Sequence, residues 1–133
     1  MPSEIVDFKS EYHYLFSILH KFNSNPTADY NKLYTIPNLA RRFLESYLGF
    51  KIPKRTGLTK KLSYFILDEI KKDKVLKFVH QFSHNNSLPR SLAFPDFGEC
   101  RECISIIMEH IQEYDSDHYG YLVEEISHAK IIA

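Results

Sequence analysis

Apolar residues recur every three to four positions in three long stretches of this chain, and that spacing commits each stretch to a helix docked along one face. Tyr12, Leu15, Phe16, Leu19 and Phe22 share one such face, and Phe97, Cys100, Ile104, Ile107 and Ile111 share another. Between them, Ile36, Leu39, Ala40, Phe43, Leu44, Tyr47 and Leu48 form a broader stripe. A half-buried strand would alternate with period two instead, and a sheet would need more turn residues than four glycines and six prolines in 133 residues supply. The expected fold is therefore all-α, a compact helical bundle of about five helices in one domain over the whole chain. An apolar content of 44%, with nine tyrosines and ten phenylalanines, excludes a disordered chain and provides the material for a core.

Local signals place the helices along the chain. Ser10 stands where an N-cap would open EYHYLFSILHKF, and NSNPTADY breaks that helix. Thr35 is the next expected cap, with Pro37 in the first turn where a missing N–H costs little, and the helix should end at Gly49 and the Pro53 loop. Thr59 opens KKLSYFILDEIKKD, which is expected to continue after a bend into KVLKFVHQFSH, and NNSLPRSLAFP reads as a loop. Asp96 and Glu99 have capping-box spacing before the longest helix, FGECRECISIIMEHIQEY, and YLVEEISHAKI belongs to a last one. Cys100 and Cys103 lie one turn apart, with no second cysteine pair or Cys/His pair at zinc-finger spacing. They read as buried thiols on a helix face, not as a disulfide scaffold or structural zinc site. No apolar run approaches the roughly 20 residues of a spanning helix, and MPSEIVDFKS lacks the apolar stretch of a signal peptide. A cytoplasmic protein without membrane contact is expected.

Charge is balanced in sum but not in distribution. Arg41 to Lys77 carries eleven Lys and Arg against four acids, while the remainder carries six against thirteen. That basic segment, with Lys54 and Arg55 inside KIPKRTGLTKK, could meet phosphate, although a solvated basic loop is the plainer account. Overall neutrality argues against strong nonspecific nucleic-acid binding.

Two polar groupings stand out. Asn38, Arg41, Arg42 and Glu45 lie opposite the apolar stripe of their helix, with Arg41 and Glu45 four apart and so within contact range across one turn. On spacing alone this is an ordinary ion pair, stabilising by a few tenths of a kcal/mol. Downstream, His84 is flanked by Ser83, Asn85 and Asn86, which offer hydrogen-bond partners that could fix its tautomer. His80 and His84 also have the spacing of a helical metal pair, but no helix-borne Glu follows His80 as in a metalloprotease and no third ligand is identifiable. No metal or cofactor is expected.

SEYHYLF, YTIPNLARRFLE and FVHQFSHNNSL, in that order, resemble the C-terminal region of the ATPase family that includes the anticodon nucleases PrrC and RloC. That region is similar to the HEPN all-α ribonuclease superfamily, and the resemblance spans roughly residues 10–115. It implies a catalytic set of Arg41, Glu45 and His84, with Asn38, Arg42, Asn85 and Asn86 orienting groups or holding substrate and Lys54 and Arg55 aiding binding. Metal-independent RNA cleavage needs a base for the ribose 2′-OH, an acid for the departing 5′ oxygen and a cation for the phosphorane. Glu45 and His84 can fill the first two roles in either order, and Arg41 suits the third. The products would be a 2′,3′-cyclic phosphate and a 5′-hydroxyl, with tRNA the expected substrate and phage defence or toxicity the expected setting. The family also implies a homodimer with the site at its interface.

Departures from that family shape the expectation. The chain holds no Gly-rich Lys-Ser/Thr phosphate loop, so the domain is expected to lack the ATPase of its relatives, and ATP control either comes from another chain, such as an ABC-type ATPase in trans, or has been lost. The common HEPN signature, an Arg four to six residues before a His on one helix, is missing for both His80 and His84. The competing expectation is a non-catalytic helical module that docks on an ATPase partner or on itself, with IPN…RRFLE retained for packing.

Overall fold

A computed structural model describes residues 11–81 and 96–132. Six helices account for the regular structure of the described residues: α1 (Glu11–Ser24), α2 (Tyr30–Lys51), α3 (Leu58–Phe65), α4 (Glu69–Gln81), α5 (Phe97–Tyr114) and α6 (Ser116–Ile132). The chain is all-α, as the apolar spacing requires. Ser10, the expected cap of α1, lies outside the described residues.

Two boundaries differ from the sequence expectation, each for a local reason. α2 begins at Tyr30 and not after Thr35: Asp29, in extended backbone, caps it by accepting from the Asn31 N–H at 3.0 Å. The extra turns bury Leu33 beside Ile36, and burying a leucine side chain is worth about 1.5–3 kcal/mol. Pro37 consequently sits inside the helix, where it cannot donate to the Leu33 carbonyl. Its fixed φ still suits the helix, and its ring is buried. The second difference is a break at residues 66–68, inside the stretch read as one helix, which raises the count from about five helices to six, whereas the bend expected at Asp73 and Lys74 does not occur and α4 runs straight through it. Asp68 makes the break, accepting from the N–H groups of Ile70 at 2.9 Å and Lys71 at 3.1 Å and so restarting the chain as α4. The capping box of α5 forms as read, with Asp96 accepting from the Glu99 N–H at 3.2 Å.

α2 and α5 are the central pair. α2 packs on α1, α3, α4 and α5, and α5 packs on α1, α2, α4 and α6. The buried side chains form one continuous core, with Phe16, Phe43, Phe78, Leu44, Leu48, Ile104 and Ile107 fully enclosed. α4 runs antiparallel to α5: Asp68 lies in the field of His110, Lys74 pairs with Glu102 at 3.0 Å, and Lys77 lies in the field of Glu99. At the other end of α5, α2 is tied down by Lys51, whose ammonium meets Asp115 at 2.7 Å.

Candidate functional site

The polar face of α2 keeps the grouping read from the sequence. Arg41 Nε lies 3.5 Å from Glu45 Oε1, with side-chain exposures of 26% and 50%. Asn38 is exposed one turn earlier. Arg42, also exposed, forms an ion pair with Glu11 at the start of α1 and so bridges the two helices. Glu11, Tyr12, Leu15, Arg42, Glu45 and Ser46 line one open cleft of about 260 Å³, so Arg42 rather than Arg41 shares that cleft with Glu45. A planar fork beside a carboxylate suits a phosphodiester and a proton acceptor respectively.

The remaining predicted residues are placed differently. Lys54 lies past the C-terminal end of α2 with its ammonium over the Tyr64 ring at 4.6 Å, and Arg55 is exposed beside it. Neither lines the cleft. His84, Asn85 and Asn86 lie outside the described residues. α4 itself ends at Gln81, toward the start of α5. Glu45 is six residues from Lys51, which marks the opposite end of α5, an axial distance of about 9 Å.

A second constellation was not read from the sequence. The Tyr12 hydroxyl and His118 Nε2 are 2.7 Å apart, joining α1 to α6 across the bundle. The Tyr12 ring stacks on Phe43 with centroids 5.1 Å apart, Phe43 stacks on Tyr47 at 6.0 Å, and Tyr47 stacks on His118 at 5.7 Å. The Tyr47 hydroxyl donates to Asp115 at 3.1 Å, the same carboxylate that holds Lys51. Burial, reinforced by the Asp115 charge, pushes both tyrosines above the ordinary phenol range. Burial also pushes His118 below the usual histidine range, against the opposing pull of Asp115. His118 is thus held neutral at neutral pH, free to accept from the Tyr12 hydroxyl through one ring nitrogen. The available signal was chemical: a tyrosine inside an apolar stripe needs a partner for its hydroxyl. The partner is 106 residues away, beyond the reach of any local pattern.

On the other side of Tyr12, a cleft of about 410 Å³ opens between α1 and α6, lined by Tyr12, His13, His118, Tyr121, Leu122, Glu124 and Glu125. Tyr12 therefore lines both clefts. A larger cleft of about 740 Å³ lies toward the start of α2, lined by Tyr14, Lys21, Lys32, Leu39 and both polar and apolar neighbours, without a carboxylate. Cys100 and Cys103 are buried free thiols, as read. Burial first, then nearby carboxylates, pushes each to about 12, which leaves them poor nucleophiles. Among the described residues, no group of three or more His, Cys, Asp or Glu could hold a metal ion, and no helix is long and apolar enough to cross a membrane.

A family model described as an AAA domain matches residues 1–110. The matched span covers α1 to α4 and most of α5, and it stops short of α6. No curated protein and no solved structure matches the chain.

Proposed function

The chain belongs to the AAA domain family, and from that membership we propose that it is a metal-independent endoribonuclease of the anticodon-nuclease kind, HEPN-like in its helical fold and acting on tRNA. Membership supports the reading because the resemblance is to a family of ATPases with a helical nuclease region. The observation that carries it is the cleft beside Tyr12, where Glu45, in contact with Arg41 at 3.5 Å, faces Arg42 across one turn of α2. In this reading the arginines hold the scissile phosphate. Glu45 or His84 removes the proton of the ribose 2′-OH, the 2′ oxygen bonds to phosphorus, and the bond to the 5′ oxygen breaks. The other of the two residues protonates that oxygen, leaving a 2′,3′-cyclic phosphate and a 5′-hydroxyl. Asn38, Asn85 and Asn86 orient these groups, and Lys54 and Arg55 draw in the RNA backbone. A homodimer belongs to the same proposal. Control by an ATPase in trans, a cytoplasmic location and a role as a defence toxin belong to the same reading.

The test is cleavage of total tRNA by the purified protein with and without EDTA, comparing wild type with Glu45→Ala and His84→Ala. Cleavage that survives EDTA and vanishes in both variants is the expected result. Intact RNA at high protein concentration refutes the nuclease reading for this chain. A second reading, a docking module for a partner protein, is favoured by one observation: Phe50, Leu67 and Ile70 are 82%, 72% and 71% exposed.

A further inference from the structure

The cleft between α1 and α6 has no part in the chemistry above, yet it adjoins it through Tyr12. Its volume of about 410 Å³ falls within the roughly 300–1,000 Å³ of small-molecule sites. Its walls are of two kinds. Tyr12, His13, His118 and Tyr121 supply flat π surfaces, and Glu124 and Glu125 supply carboxylates. Unlike the neighbouring cleft, which Arg42 lines, this one has no arginine or lysine in its walls to hold a phosphate. Aromatic and imidazole rings take an unstacked nucleobase, and a carboxylate accepts from base N–H groups on the Watson–Crick edge.

We infer that this cleft is a nucleobase subsite selective for guanine, next to the cleft in which Arg42 would hold the scissile phosphate beside Glu45. Guanine is the base whose ring N–H and exocyclic amino group stand side by side, a pair of donors matched to one carboxylate. Tyr121, which is 66% exposed, is the adaptable wall that closes on the base. The Tyr12 hydroxyl fixes the His118 ring one turn away on α6, and Tyr12 and His13 supply the α1 side. The inference rests on the RNA-cleaving reading for its neighbour but concerns binding alone.

The experiment is titration of the full chain with guanosine, inosine and adenosine, followed by the NMR signals of the histidine rings, for wild type, Tyr121→Ala and Glu124→Gln. Both replaced side chains are exposed, so the fold is retained. Guanosine should bind, inosine should bind about tenfold more weakly, and Tyr121→Ala should lose affinity by a similar factor. Equal binding of the three nucleosides, or no change in Glu124→Gln, overturns the inference. So does displacement of guanosine by spermidine at matched ionic strength, which would mark a site for organic cations. Guanosine selectivity without tRNA cleavage leaves the subsite standing while the nuclease reading falls. Cleavage that is indifferent to the base, with unchanged activity in both variants, has the reverse consequence.

Discussion

Replacing Tyr12 by Phe removes one hydroxyl and nothing else, since the ring can keep its stack on Phe43 at 5.1 Å. The lost contact is the 2.7 Å bond to His118, half-buried and between neutral groups. A bond of that kind contributes about 1 kcal/mol net, and water entering the adjoining cleft can satisfy the abandoned ring nitrogen, so the cost stays at about 1 kcal/mol. For a domain of this size that is a fall in Tm of roughly 3–5 °C. His118→Leu loses the same bond, and in a double-mutant cycle the coupling between the two changes should be about 1 kcal/mol. The pH dependence follows from the lowered pKa of His118. Below about pH 6.5 the unfolded chain takes up a proton that the folded chain still resists, so stability falls as pH falls through that window. His118→Leu removes this dependence, and its deficit against wild type narrows toward pH 5. Urea denaturation at pH 7.5 and pH 5 measures each quantity. Coupling below about 0.3 kcal/mol at pH 7.5, within the scatter of independent sites, would refute the role given to this bond.

Three further outcomes are expected. Glu45→Gln separates stability from activity: the Arg41 pair, half-exposed on the Glu45 side, contributes about 0.5 kcal/mol, so Tm shifts by about 2 °C. Loss of a proton-transfer group should meanwhile lower the cleavage rate by about 10²–10⁴, and a rate within threefold of wild type (roughly, allowing for assay error) rules Glu45 out of the chemistry. Asp96→Ala deletes the cap on the Glu99 N–H and should cost about 1 kcal/mol in urea unfolding, with no effect if α5 is capped from elsewhere. Cys100 and Cys103 should resist a thiol reagent in the native protein at pH 8 and react on unfolding, because burial holds their pKa at about 12. Rapid labelling of either native thiol contradicts their placement in the core.

The helices were legible where one face alone sets the pattern. The stripes of Leu15, Phe16 and Leu19, of Phe43, Leu44 and Leu48, and of Ile104, Ile107 and Ile111 are all buried. Legibility failed where two local rules compete. Thr35 and Pro37 make a good helix start, but burial of Leu33 together with a cap at Asp29 outweighs the bond that Pro37 cannot make. Asp68 could have been an ordinary helical residue, and its side chain instead claims the next two free N–H groups. Of the candidate site, the Arg41–Glu45 contact follows from spacing because both ends lie on one helix. The Arg42–Glu11 pair and the Tyr12–His118 bond join different helices, so only packing reveals them.

Family membership and fold constrain each other further. A phosphate-binding loop needs two glycines five apart followed by lysine, and the four glycines of this chain stand at 49, 57, 98 and 120. No such spacing occurs among them, and in the proposed reading ATP acts on these helices through contacts with an ATPase. Such contacts need an accessible surface. The exposed Phe50, Leu67 and Ile70 belong to the end of α2, the α3–α4 break and the first turn of α4, and Phe65, two residues before Leu67, touches Tyr47 with ring centroids 5.6 Å apart. Tyr47 in turn holds Asp115 and stacks on His118. A partner that pressed on this end would push on Phe65 and Tyr47, and through His118 on Tyr12 at the boundary of the two clefts. The docking and nuclease readings are then compatible: in the combined reading the exposed apolar end would receive control, and the aromatic stack that runs from it reaches the residue beside which cleavage is proposed to occur.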